Sequence, residues 1–260
     1  MSYRLFFESQ PGGPRIYSHA FIASDPKEGS ADHQVNVVLR QGVTIKGQVI
    51  GPDGQPVQDT WLISRVMLGP LGGIRQGWRG NNHGNTRNGQ FEIHGLDPDA
   101  EVSVYFLEPK RKLGATAYFS GKSASGGPVI VRLQPCVTAK ARLVDPDGKP
   151  VVRFSAPWLI SMVVTPGPFA SIKARKEGLL LADEARLPAV DPINYDHDPE
   201  SDAQGRITFP TLIPGATYRV IDRTPFRGPD GPQHRMDLTV KPGEALDLGD
   251  ILIEKHQLVN

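Results

Sequence analysis

GVTIKGQVIGPDGQPV, running from Gly42 to Val57, returns 94 residues later as CVTAKARLVDPDGKPV, from Cys136 to Val151. In the first stretch Val43, Ile45, Gly47 and Val49 share one parity, and Thr44, Lys46 and Gln48 the other. In the second, Val137, Ala139, Ala141 and Leu143 alternate with Thr138, Lys140 and Arg142. A period of two, with small and β-branched residues on one side, reads as a half-buried β-strand. Each strand runs into Pro-Asp-Gly. Proline presets one turn angle there and glycine accepts a positive φ, so both strands end in tight turns.

A second pair lies downstream. NGQFEIHGLDPDAEVSVYF, from Asn88, returns as QGRITFPTLIPGATYRVID, from Gln204. Phe91 and Ile93 take one face in the first copy, Ile207 and Phe209 in the second. Self-similarity on this scale marks tandem copies of one small domain. Strands VSVYF and YRVID follow the turns, and VIVRL (Val129 to Leu133) or MDLTV (Met236 to Val240) closes each copy; the second adds LDLGDILIE from Leu246. YRLFF (Tyr3 to Phe7) with VNVVL (Val35 to Leu39) matches VSVYF with VIVRL, so residues 1–40 read as the back half of a preceding unit. The expected domains are 1–40, 41–134 and 135–256. The two first strands are offset by 94 residues but the turns at Gly95 and Thr211 by 116, so the second unit carries 22 extra residues within a long insert at about 155–200. Short strands at this spacing predict an all-β chain of tandem antiparallel sandwiches, with LLLADEAR (Leu179 to Arg186) as its one helical turn.

Composition agrees. Glycine (28) and proline (24) are plentiful and aromatics modest at 7%, as in a chain of short strands and turns. Net charge is +1, and no segment reaches the basic balance of a nucleic-acid-binding domain. No apolar run is long enough to span a bilayer, and no leader pattern is read before Tyr3, although the mid-unit start leaves room for one upstream. The single cysteine, Cys136, excludes an internal disulfide and reads as a small buried apolar residue.

The strand reading G-x-V, then D-x-x-G-x-P-V, D-x-x-G-x-F and G-L-x-P-G with a following Tyr, resembles the carboxypeptidase regulatory-like domain, a transthyretin-like (prealbumin-like) sandwich. Here the pattern stands as KGQVIGPDGQPV with TRNGQFEIHGLDPDAEVSVY, and as KARLVDPDGKPV with SDAQGRITFPTLIPGATY. Asp99 departs from the usual glycine. The resemblance implies the fold and a role as an interaction module or stalk in a larger bacterial protein. It also implies a site outside the cytoplasm or tethered to a membrane, without catalytic residues or cofactor. A protein or glycan partner is expected, and self-association through the N-terminal half-unit.

Three sites stand as candidates. The loop from Gly69 to Gly89 offers Arg75, Trp78, Arg79, Asn81, Asn82 and His83 as a stacking face with planar donors, for a glycan or an anionic partner. Asp196, Asp198, Glu200 and Asp202 are oxygen ligands at calcium-like spacing in a turn-rich loop, without the mid-loop glycine of such sites. DAQGRITFPTLIPGATY is also similar to a run in intradiol ring-cleavage dioxygenases, which hold ferric iron with two Tyr and two His. That resemblance nominates Tyr195, Tyr218, His197 and His234, but the paired histidine is missing. A Lys–Asn crosslink, as in some adhesin sandwiches, needs a buried lysine, and Lys46 and Lys140 fall on the outward parity. Trp61 and Trp158 occupy related strand positions and are expected in the core.

Overall fold

In the computed structural model the described residues are 3–7, 20–24, 29, 34, 36, 41–64, 75–76, 82–96, 98, 101–155, 160–164, 185–188, 199–221 and 234–253. Among them the chain is all-β, with a single 3₁₀ turn at Gly121–Ala124. Strands β1 (Tyr3–Phe7) and β2 (Ala20–Ser24) pair antiparallel, Leu5 opposite Ile22. The run at 35–39 lies outside the described residues apart from Asn36, which belongs to no strand. Of the helical turn expected at Leu179 to Arg186, Ala185 and Arg186 are β-strand and the rest lies outside the described residues.

The first repeat supplies β3 (Val43–Ile50), β4 (Trp61–Ser64), β5 (Arg75–Gln76), β6 (Asn82–Asn85), β7 (Gln90–Leu96), β8 (Glu101–Glu108), β9 (Leu113–Ser120) and β10 (Val129–Arg132). After β11 (Gln134–Pro135), the second supplies β12 (Val137–Val144), β13 (Ile160–Val164), β14 (Ala185–Pro188), β15 (Arg206–Leu212), β16 (Thr217–Ile221), β17 (His234–Thr239) and β18 (Ala245–Leu252). The sheets repeat as the sequence does. One runs β10-β3-β7 and its counterpart β18-β12-β15, each with the first strand of the repeat in the middle. The other runs β9-β8-β4-β6, extended by β11 and β5, against β17-β16-β13-β14. The closing strands are therefore VIVR and ALDLGDIL. MDLTV belongs to β17, whose counterpart is LGATAYFS in β9.

The chain forms two compact units. One comprises Met1–Val104, Ala117–Val131 and Thr165–Glu184, and the other Tyr105–Thr116, Arg132–Val164 and Ala185–Asn260. The tip of the β8–β9 hairpin thus counts with the second unit. Within that unit the Cys136 amide donates to the Lys112 carbonyl, and the Thr116 hydroxyl to the Pro214 carbonyl at 2.9 Å. Cys136 is half-buried, where full burial was expected.

Strand parity sets the core. Ile45, Gly47 and Val49 are buried while Lys46 is exposed, and Val137, Ala139, Ala141 and Leu143 are buried while Lys140 is exposed. Phe91, Ile93, Ile207 and Phe209 fill the same side from the paired strands. Phe91 lies over Gly47 and tilts against Phe119 with ring centroids 5.9 Å apart. A Cβ at Gly47 would overlap the Phe91 ring and come within 2.7 Å of the Val129 carbonyl oxygen. The second repeat has Ala141 at the corresponding position.

The turns repeat bond for bond. Val49 N donates to Gly89 O and Leu143 N to Gly205 O; Val57 N donates to Val49 O and Val151 N to Leu143 O. Asp59 and Arg153, 94 residues apart, both hold φ at 55°. Beside each sits a buried hydroxyl. Thr86 Oγ1 accepts from Thr60 N at 3.1 Å and donates to Val57 O; Ser201 Oγ accepts from Phe154 N at 3.0 Å and donates to Val151 O at 2.7 Å. In this way a side chain pairs two main-chain groups that neither sheet ladder reaches. The hairpins that follow differ by one residue. Asn88 and Gly89 both take positive φ, making a two-residue type I′ turn between Arg87 and Gln90. In the second repeat the loop is longer, and Asp202 Oδ1 accepts from Gln204 N and Arg206 N, both at 2.8 Å.

Gly47→Ala is expected to lose about 1–3 kcal/mol, the cost of overpacking a filled core, measured by chemical denaturation. An unchanged midpoint would show that Phe91 has room to move. Ser201→Ala strands the Phe154 N–H and the Val151 carbonyl. It should cost about 1–3 kcal/mol, whereas Ser201→Thr should recover most of that loss.

Candidate functional site

The glycan-loop candidates divide. β5 and β6 bring Arg75 opposite His83 and Gln76 opposite Asn82, while Trp78, Arg79 and Asn81 lie outside the described residues. Of the calcium set, Asp196 and Asp198 lie outside them too. Glu200 forms an isolated bridge with Ser155, which closes the neck of the long insert. Asp202 spends Oδ1 on the two amides of its own turn. No cluster of three His, Cys, Asp or Glu placed to hold a metal occurs among the described residues. Trp61 is half-buried in β4, and Trp158 falls outside the described residues.

Of the iron nominees, Tyr195 and His197 lie outside the described residues, and His234 begins β17, paired in register with Ile221. Tyr218 is 2% exposed, and its phenol oxygen accepts the Ile213 N–H at 2.6 Å. Burial pushes its pKa well above the usual tyrosine range. The Ile213 N–H opposes that, and Cys136 and Tyr105 add to it. A ferric phenolate needs the opposite shift. Tyr218 is a neutral pin between β16 and the end of β15, much as a tyrosine corner ties a strand to the chain upstream. Counting from the turns, the first repeat has Val102 where the second has Tyr218; Tyr105, expected to match it, sits three residues further on.

The site that sequence reading passed over lies on the outward face of the β15-β12-β18 sheet. A groove of about 660 Å³ runs across it, floored by Lys140, Arg142, Arg206 and Thr208 and flanked by Asp247 and Asp250. Pro199 and Glu200, at the exit of the insert, also line it. Register explains the charge pattern. Lys140 stands between Thr208 and Asp247, and Arg142 between Arg206 and Asp250. Arg142 Nη1 reaches Asp250 Oδ2 at 3.0 Å, and among the described residues Lys140 and Arg206 have no ion pair.

The first repeat treats the same positions differently. Lys46 Nζ lies 3.2 Å from Glu92 Oε1, Glu92 Oε2 lies 3.0 Å from His94 Nε2, and His94 Nδ1 bonds Thr44 Oγ1 at 3.1 Å. Gln48 faces Gln90. Going from first repeat to second, Glu92 becomes Thr208, Gln48 becomes Arg142 and Gln90 becomes Arg206. One internal acid is lost and two guanidiniums appear, directly opposite each other. That difference was visible in the aligned repeats, but strand pairing was needed to show that the positions share one face.

No family model matches the chain, and no curated protein matches it. Among solved structures it is similar to the Bacillus anthracis TIE protein, at 12% identity and a TM-score of 0.27 over 91% of this chain; it spans 37% of that protein's length. It is also similar to a streptococcal ancillary pilin (13% identity, TM-score 0.25, 98% of this chain and 75% of that one). A third likeness is to the shaft pilin SpaA of Lactobacillus rhamnosus GG (13% identity, TM-score 0.26, 82% and 97%). The fold class rests on the chain's own strand order.

Tyr218→Phe leaves the Ile213 N–H unpaired and should cost about 1–3 kcal/mol. The phenol's folded pKa is raised, so its contribution is complete below the unfolded value near 10. Above that, stability should fall by up to about 1.4 kcal/mol per pH unit. Urea denaturation between pH 9 and 11 should show a shallower decline in the Phe variant; parallel declines would exclude a buried phenol.

Proposed function

We propose that the chain is a non-catalytic structural and interaction module of a larger bacterial protein, organised as a partial unit at 1–40 and tandem sandwiches at 41–134 and 135–256. It resembles carboxypeptidase regulatory-like repeats, and we place it outside the cytoplasm or tethered to a membrane. One observation carries the structural role. In the second repeat, first strand β12 and last strand β18 are parallel neighbours, with Thr138 beside Ala245 and Val144 beside Leu252. The Ile253 N–H extends the ladder to the Val144 carbonyl. Pulling a unit by its ends therefore loads every β12–β18 hydrogen bond at once, in shear. Pulling apart the antiparallel pair β12–β15 from the turn end would break its bonds one by one. Spacers between a surface and a partner need the first behaviour.

The described polar groups support the same reading. The buried hydroxyls of Thr86 and Ser201 and the phenol of Tyr218 are each committed to main-chain partners, which serves stability rather than turnover. A second reading, glycan or peptide binding by the loop around Arg75 and Trp78, draws on the β5–β6 extension that sets Arg75 opposite His83. It expects Trp78→Ala to abolish retention on a glycan or peptide array.

Force spectroscopy tests the structural role. The second unit should withstand a several-fold higher force when pulled from its ends than through handles at Asp147 and Ala203. Equal forces in the two geometries would remove the mechanical argument.

A further inference from the structure

We propose that the outward face of β15-β12-β18 docks an extended peptide segment of a partner protein. An acidic side chain of the segment lies against Lys140 and Arg206, and a basic one against Asp247. This rests on reading the chain as an interaction module and names the site and partner chemistry. Three observations lead here. The equivalent face of the first repeat closes on itself through Lys46, Glu92, His94 and Thr44. The second repeat loses that acid at Thr208, and sets Arg142 and Arg206 directly opposite each other. Like charges facing across a strand pair are destabilising unless an anion comes between them, and among the described residues Asp250 pairs with Arg142 alone.

The carboxylates around the groove choose the class of ligand. Asp247, Asp250 and Glu200 border the cations, so a uniformly charged polyanion would meet repulsion along its length. A segment with one acid and one base fits. Neighbouring strands lie about 4.8 Å apart, so a point midway between β15 and β12 stands about 7 Å from β18. Two residues of extended chain cover about that distance and return side chains to the same face. Pro199 and Glu200, at the exit of the insert, wall the groove.

The test is a titration of the full-length ¹⁵N-labelled chain with a heptapeptide holding one glutamate and one lysine two positions apart. Amide shifts should gather at Lys140, Arg206, Thr208 and Asp247. Thr208→Glu, which returns an internal partner to Lys140 as in the first repeat, should weaken binding about fivefold, the upper range for an exposed pair. The double variant Lys140→Glu with Arg206→Glu should abolish it. Asp247→Lys should weaken the mixed peptide while tightening an all-glutamate heptamer. No shift at millimolar peptide, shifts elsewhere, or equal affinity in Thr208→Glu would overturn the proposal. So would tighter binding of the wild-type chain to the all-glutamate heptamer or an oligouronate, which would assign the face to polyanions. None of these outcomes bears on the resistance of β12–β18 to shear, so the structural role stands or falls separately.

Discussion

A strand hydrogen-bonded on both edges cannot be satisfied by its neighbours in sequence alone. β3 and β12 are such strands, each in the middle of a three-stranded sheet. Each needs an antiparallel partner from the middle of its repeat and another from the repeat's end. In the second repeat that last partner runs parallel, and parallel neighbours require a long crossover. That crossover carries β13, β14, β16 and β17, which form the other sheet, and β15, which returns to pair with the free edge of β12. The buried parity of the central strand then dictates which residues fill the interior, from Gly47 under Phe91 to Ala141 in the second copy.

The two repeats share this frame and diverge on its outer face. Inward positions tolerate little change, because a Cβ at Gly47 would collide with Phe91 and the Val129 carbonyl. Outward positions bear no such restraint. There the first copy carries a closed chain of contacts from Lys46 to Thr44, and the second an open groove of opposed charges. A surface that keeps its backbone while changing its charges can acquire a partner at little cost to stability, since exposed ion pairs are worth about 0–1 kcal/mol.

Much of the frame was legible in the sequence because period-two alternation and Pro-Asp-Gly are local signals. Ile45, Val49, Ala139 and Leu143 are buried as their parity demands. β9 was not legible: LGATAYFS carries Gly, Ala and Thr where an alternating strand would show large apolar residues, and its pairing with β8 is a tertiary fact. For the same reason MDLTV looked like the mate of VIVRL, although pairing gives that place to ALDLGDIL. The hydroxyl clasps escaped notice because Thr86 and Ser201 sit one register apart relative to the glycines that follow them. The His94–Thr44 bond was hidden as well, since only the pairing of β3 with β7 brings Thr44 to it. The groove needed the same step, since Arg142 and Asp250 are 108 residues apart in the chain.

The most direct measurement is of interstrand amide contacts along β12 in a deuterated sample by nuclear Overhauser spectroscopy. The expected result is a parallel pattern joining Arg142 to Asp250 and Leu143 to Ile251, with an antiparallel pattern joining Ala141 to Ile207 on the other edge. Contacts from β12 to the His234–Thr239 strand instead, or a bare second edge, would contradict the shared strand order on which the tandem architecture rests.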